Sequence, residues 1–138
     1  MNYNFRKINI NDYEKYLILI NDFQKTNYTY NQFLNFLEKN KNIEIWVIEQ
    51  NNELIASGTI LYETKLIHNI SLYSHIEDII VFSKYRNKGF GNILLNELIK
   101  VCKKNGSYKI LLDCHEKLII FYEKSGFKKN GNQMVIYC

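Results

Sequence analysis

The residues with the clearest chemistry lie in one short stretch, Arg86-Asn87-Lys88-Gly89-Phe90-Gly91. It follows an apolar strand pattern (Glu77 to Phe82) and opens an amphipathic helix pattern that starts near Gly89. The first turn of a helix carries N–H groups without partners and the positive end of the helix dipole. Glycine takes φ above zero without strain and lets a ligand come close to the backbone. Gly89 and Gly91 at such a junction predict a cradle for a pyrophosphate, with Arg86 and Lys88 adding mobile positive charge. The stretch lacks the later glycine of a dinucleotide fingerprint and the Gly-Lys-Ser/Thr of a P-loop. A glycine pair alone also suits a plain strand-to-helix bend. The apolar strand before it and the amphipathic helix after it favour the anion site.

Other reactive groups are sparser. Glu77 and Asp78 are neighbours on a predicted strand, so alternation sends their side chains to opposite faces and they do not read as one acid/base pair. His68, His75 and His115 show no metal-like arrangement with Cys102, Cys114 and Cys138, and no metal is expected. Cys114 reads as a buried small residue rather than a nucleophile. Tyr122, one of eleven tyrosines, reads on its own as a packed aromatic.

The elements that must position these groups follow from periodicity. Asn4 to Ile8 reads as a first strand. Asn11 with Glu14 resembles a capping box opening a helix that runs to about Asp22. Thr29 with Gln32 repeats that signal before Phe33, Phe36 and Leu37, which share one helix face. Ile43 to Glu49 and Glu53 to Glu63 form a hairpin through Asn51-Asn52. His75 to Phe82 is another strand. Gly89 to Lys104 carries Leu94, Leu95, Leu98, Ile99 and Cys102 at helical spacing and ends at Asn105-Gly106. Tyr108 to Asp113 has an unbroken apolar centre, which predicts a strand buried on both faces. Lys117 to Ser125 is a short helix stopped by Gly126, and Met134 to Tyr137 is a last strand. The fold class is therefore α/β, a mixed sheet packed by helices, in one domain spanning residues 1–138.

A chain of 138 residues buries about two-thirds of its unfolded surface, and 46% hydrophobic residues exclude a disordered tail. The net charge of +4 is scattered, without the basic stripe of a nucleic-acid binder, and suits an anionic small molecule. Three cysteines without CxxC spacing argue for a reducing, cytoplasmic setting. No N-terminal apolar region and no bilayer-length apolar run is present, so neither secretion nor membrane insertion is expected.

Arg86 to Gly91 resembles the cofactor motif of the GNAT superfamily of N-acetyltransferases. Three further blocks are similar, in order and spacing, to the members that act on amino-sugar phosphates. They are His75-Ile76-Glu77-Asp78-Ile79-Ile80-Val81, Tyr108-Lys109-Ile110-Leu111-Leu112-Asp113-Cys114 and Phe121-Tyr122-Glu123-Lys124-Ser125-Gly126-Phe127. The likeness is close from Lys65 onward and loose before it. It implies the single-domain GNAT acyltransferase fold, with a mixed, mostly antiparallel twisted sheet flanked by helices, and acetyl-CoA as co-substrate.

Roles for individual residues follow from the resemblance alone. The backbone of Ile79, Ile80 and Val81 is expected to pair with the pantetheine arm like an added strand. Arg86, Asn87, Lys88, Gly89, Phe90, Gly91 and Asn92 are expected to hold the pyrophosphate, with Glu123 and Lys124 nearby. Tyr122 is implied as the donor to the departing thiolate. Glu77, Asp78, Ile79 and Asp113 are placed at the acceptor, with Glu77 or Asp113 reaching the amine proton through water. Lys65, His68, Tyr108 and Lys109 are implied as contacts to a sugar phosphate, which a cation cluster suits. The implied reaction is direct acetyl transfer to the 2-amine of glucosamine 6-phosphate, in a homodimer whose C-terminal strand crosses to the partner. The chain departs from the pattern twice. Tyr137 stands where a phosphate-holding arginine is usual, and Thr26 is the nearest candidate for a loop threonine that contacts substrate. These leave open another acceptor on the same fold (an aminoglycoside or a peptide N-terminus) and, from a different class, a non-catalytic acyl-CoA-binding module.

Overall fold

In the computed structural model, which describes residues 2–138, the chain opens with strand β1 (Asn4–Lys7). A 3-10 turn (Ile10–Asp12) leads into α1 (Tyr13–Phe23), followed by α2 (Tyr30–Lys39). β2 (Ile43–Gln50) and β3 (Glu53–Lys65) make a hairpin. Its turn residues Asn51 and Asn52 have φ of 51° and 62°, the tight primed geometry that asparagine tolerates. A single turn, α3 (Ile67–Ile70), precedes β4 (Ser71–Val81), then α4 (Phe90–Lys104), β5 (Lys109–Leu111) and α5 (Ile119–Glu123). The five strands form one sheet in the order β1-β2-β3-β4-β5. Neighbours are antiparallel except β5, which runs parallel to β4. The mixed, mostly antiparallel sheet expected from the sequence is present.

Both faces of the sheet are covered. Val47 and Ile48, adjacent on β2 and so pointing to opposite faces, are both fully buried. On one face Leu94, Leu95, Leu98 and Cys102 of α4 pack on Ile48, Ile60 and Ile76. On the other, Tyr16 and Leu19 of α1 and Phe33 of α2 pack on Val47, Leu54 and Ile80. α4 and α1 thereby clamp the middle of β3 and β4 from opposite sides.

Several local expectations shift. The Thr29/Gln32 capping box is present, but the box before α1 falls at Asn9 and Asp12 rather than Asn11 and Glu14. Asp12 accepts from the Asn9 N–H at 2.8 Å and from the two terminal guanidinium nitrogens of Arg6 at 2.8 and 2.9 Å, a partner on β1 that helix-cap spacing does not reveal. β4 starts at Ser71, four residues before the expected His75. β5 is three residues long and only partly buried, not covered on both faces, because the sheet ends there. The last helix begins as a 3-10 turn at Glu116–Leu118, and only Ile119–Glu123 is α-helical. Met134 to Tyr137 form no strand; they lie exposed and pair with no strand of the same chain. Cys114 is exposed, and Cys102 is the buried cysteine; all three are free thiols.

Candidate functional site

β4 pairs with β3 along most of its length but with β5 only at Tyr73, Ser74 and His75. Beyond His75 the two parallel strands part. From Ile76 to Val81, β4 has β3 on one side and no strand on the other. A free strand edge is a row of N–H and C=O groups able to take up an extended amide chain.

The same segment is irregular. Thr59 pairs with Glu77 and Ser57 with Ile80, so Asp78 and Ile79 together stand opposite Gly58. Two residues against one is a β-bulge. Asp78 adopts a left-handed conformation, φ 49°. The alternation that was to send Glu77 and Asp78 to opposite faces therefore breaks between them. Glu77 is half-buried and its carboxyl is raised above the ordinary value, first by burial, then by the negative charges of Asp78 and Asp113, against a smaller opposing effect of His75. Burial and the two neighbouring carboxylates thus push Glu77 toward its neutral form.

At its far end β4 runs into the glycine turn. The Phe82 N–H donates to Ile55 O at 2.9 Å. Asp22, near the end of α1, accepts from both the N–H and the hydroxyl of Ser83 at 2.8 Å. Asn87 (φ 62°) and Gly89 (φ 89°) are left-handed, and Gly89 caps α4. The first helix bond is Ile93 N–H to Gly89 O, which leaves the Phe90, Gly91 and Asn92 N–H groups without helical partners. Gly91, in contrast to Gly89, does not have positive φ. It marks a junction instead. A Cβ there would stand 3.5 Å from Phe121 Cζ and 3.7 Å from Val81 Cγ2, so β4, α4 and α5 meet at this point. Arg86 is not free over the cradle. Its Nε donates to Val81 O at 3.0 Å and its terminal nitrogen lies 3.5 Å from Asp22, so it shapes the turn. The Lys88 ammonium lies 5.6 Å from the Tyr85 ring.

Tyr122 is 8% exposed, edge-on to Phe121 at 5.0 Å and to Phe127 at 6.0 Å. Burial, with a further contribution from Cys114, raises its pKa, which keeps the phenol protonated and able to donate. Among the described residues its hydroxyl has no hydrogen-bond partner. Tyr122 and Glu123 border a cleft shared with Lys109 and Asp113. Asp113 is exposed and accepts from Gln133 at 3.1 Å.

The residues expected at a phosphate also converge. The Lys65 and Lys109 ammonium groups lie 4.8 and 5.4 Å from the centre of the Tyr73 ring. Tyr108 stacks on Tyr73 at 5.8 Å and on His68 at 4.3 Å. Tyr73 organises this cluster; the sequence pattern, which starts the strand at His75, four residues late, passes over it. His68, Asn69 and Ile70 have φ of 53°, 61° and 60°, an unusual left-handed run without glycine that turns His68 back toward Tyr108. Lys65 lies 3.7 Å from Glu63, which also meets His75 at 3.0 Å. Thr26 and Tyr137 are both exposed, Tyr137 at 90% in the unpaired tail. Among the described residues no group of three His, Cys, Asp or Glu side chains could hold a metal ion, and no helix is long and apolar enough to cross a membrane.

Residues 5–127 match the model of the acetyltransferase (GNAT) family. The chain belongs to that family. Among the relatives of this GNAT chain, glucosamine 6-phosphate N-acetyltransferase 1 of Dictyostelium discoideum is 34% identical over 96% of this chain and 89% of its own. Glucosamine 6-phosphate N-acetyltransferase of Candida albicans is 33% identical over 96% and 94%. The crystal structure of glucosamine-6-phosphate N-acetyltransferase from Arabidopsis thaliana superimposes with a TM-score of 0.92 at 31% identity, covering 99% of both chains.

Proposed function

We propose that this chain transfers the acetyl group of acetyl-CoA directly to the 2-amine of glucosamine 6-phosphate, as one acetyltransferase domain spanning residues 1–138. The observation that carries this is the parting of β4 from β5 after His75, with the freed edge running into the N-terminus of α4. An amide-bearing arm fits the edge, and a pyrophosphate fits the unpaired N–H groups of Phe90, Gly91 and Asn92 beside left-handed Gly89. Acetyl-CoA supplies an activated thioester, so the chain's residues need only align, polarise and move protons.

Alignment of amine and thioester is worth about 7–11 kcal/mol when geometry is right. Backbone N–H groups of the Ile79–Val81 edge polarise the thioester carbonyl. Glu77, raised toward neutrality by burial and its carboxylate neighbours, accepts the amine proton through water, and Asp113 orients the amine. The Tyr122 phenol donates to the departing thiolate. Lys65, His68 and Lys109, gathered about Tyr73 and Tyr108, hold the sugar phosphate. The names of the two relatives and of the Arabidopsis structure support this acceptor. The exposed apolar side chains of Met134 to Tyr137 support a homodimer in which this segment pairs with the partner. Three free cysteines support a reducing, cytoplasmic setting.

The experiment is thiol release from acetyl-CoA with glucosamine 6-phosphate, glucosamine and a peptide amine as acceptors. Release with the phosphorylated sugar alone supports the proposal. Equal release with glucosamine moves the acceptor to another amine, and tight CoA binding with no release leaves only a binding module.

A further inference from the structure

The β4 bulge brings Asp78 into its left-handed conformation and puts Glu77 among the acceptor carboxylates, yet nothing in its own sequence compels it. Two features on β3 face it. Gly58 stands opposite Asp78 and Ile79. A Cβ on Gly58 would lie 2.6 Å from Leu98 Cδ1 and 3.0 Å from Ile79 Cδ1, so on the α4 side these side chains fill the space that a side chain at position 58 would take. Ser57, its neighbour, points to the α1 side. It pairs with Ile80 just before the register slips, and its side chain is fully buried. The Ser57 hydroxyl meets the Tyr16 hydroxyl of α1 at 3.0 Å.

That hydroxyl pair sits in an apolar cluster with Leu19, Val47, Leu54 and Ile80. Replacing both members of such a pair by apolar groups of the same shape is close to neutral for stability. Packing therefore does not require the bond, whereas the bulge gains a fixed point from it. The Tyr16 phenol, raised first by burial, also senses the charge of Asp78, which places the pair next to the bulge. We propose that Tyr16 and Ser57 are positioning residues, which through their buried hydrogen bond hold the β4 bulge in the register that aims Glu77 and Asp78 at the acceptor. The inference rests on the acetyl-transfer reading for its kinetic consequence, but not for its structural one. A bulge that slips by one residue exchanges the faces of every side chain beyond it.

The test compares Tyr16→Phe, Ser57→Ala and the double variant with the wild type. Each is followed by steady-state kinetics with acetyl-CoA and glucosamine 6-phosphate and by amide hydrogen exchange of Glu77 to Val81. The expected result is a kcat loss on the order of 10- to 100-fold, as misplacement of reacting groups produces. KM for acetyl-CoA changes less than kcat, since the phosphate turn is untouched and only the Ile79–Val81 edge is disturbed. Exchange of the Glu77–Val81 amides rises in all three variants, and the double variant resembles each single one because one bond is lost in every case. Each single variant leaves the partner hydroxyl buried and unpaired, whereas the double variant removes both, so it reports even where a single variant folds poorly. Wild-type exchange in the double variant overturns the positioning role, as does wild-type kcat in it. If the wild type itself releases no thiol with any amine, the acetyl-transfer reading fails, and the exchange result alone decides the bulge.

Discussion

Tyr122→Phe removes one oxygen and leaves the ring. In the fold that ring is 8% exposed and held edge-on between Phe121 and Phe127, contacts that phenylalanine keeps. The hydroxyl has no protein partner among the described residues, so its loss leaves no group orphaned and changes stability by less than about 1 kcal/mol. The reaction is another matter. Burial keeps the phenol protonated, so it can donate as negative charge grows on sulfur. Removing a donor aimed at developing charge costs about 2.7–4 kcal/mol, or about 10²–10³ in kcat. A thiolate carries charge more readily than an alkoxide, its thiol having a pKa of about 8.5, which sets the expectation near the lower end, about 100-fold. The assay is steady-state thiol release at saturating glucosamine 6-phosphate, with KM measured for both substrates and melting temperature as control. Unchanged KM and Tm with the full loss in kcat is the expected pattern. A kcat within about threefold of wild type refutes the donor role, and a loss carried entirely by KM makes the phenol a ground-state contact instead.

Glu77→Gln reads the carboxylate cluster from both sides. Its folded pKa is raised, so ionising it in the fold is disfavoured; that stability is fully present below the ordinary value of 4.5 and is lost as pH rises through the folded pKa. Glutamine removes the penalty, so Tm at pH 7 should exceed the wild type and the gap should close near pH 4, about the unfolded value; kcat should fall, and a lower Tm at pH 7 would contradict the reading. Asp12→Ala removes a nearly buried carboxylate held by Arg6 and by the Asn9 N–H; with Arg6 still partly wet, the loss should be about 2–3 kcal/mol, read as a lower denaturation midpoint. Asp12 behaves oppositely to Glu77: burial raises its pKa, but Arg6 and the Asn9 N–H outweigh that and lower it, so its contribution is present above the ordinary 3.8 and disappears as pH falls through the folded value. Lys65→Ala and Lys109→Ala should each raise KM for glucosamine 6-phosphate about tenfold while leaving KM for acetyl-CoA unchanged, consistent with a charge-assisted bond of about 1.5 kcal/mol; equal effects on glucosamine would argue against a phosphate contact.

The glycine turn is legible in the sequence because its cause is local. Gly89 takes φ 89° at a strand-to-helix junction, and that follows from residue type and flanking pattern. Residue type also marks Arg86 as a ligand; its side chain donates to Val81 O, five residues back, and approaches Asp22, a partner distant in sequence that local pattern does not reveal. The apolar pattern places the start of β4 at His75 and passes over Tyr73, because Ser71 and Ser74 interrupt it although both are buried in the sheet. Met134 to Tyr137 carry a strand's residue types without finding a partner strand in their own chain.

By itself the sequence determined the element types up to the last helix, the mixed sheet, the glycine turn and the family, because helix and strand periods, caps and left-handed glycines are set by neighbours along the chain. The tertiary structure decided where β4 leaves β5, and that Asp78 and Ile79 share one partner in Gly58. It also decided that Lys65, His68 and Lys109 meet around Tyr73 and Tyr108. Those features depend on register, on which residues of different elements face one another, and on the space left where a side chain is missing. An alternating pattern is the same on either side of a one-residue slip; only the packing of α1 and α4 against the sheet chooses between them.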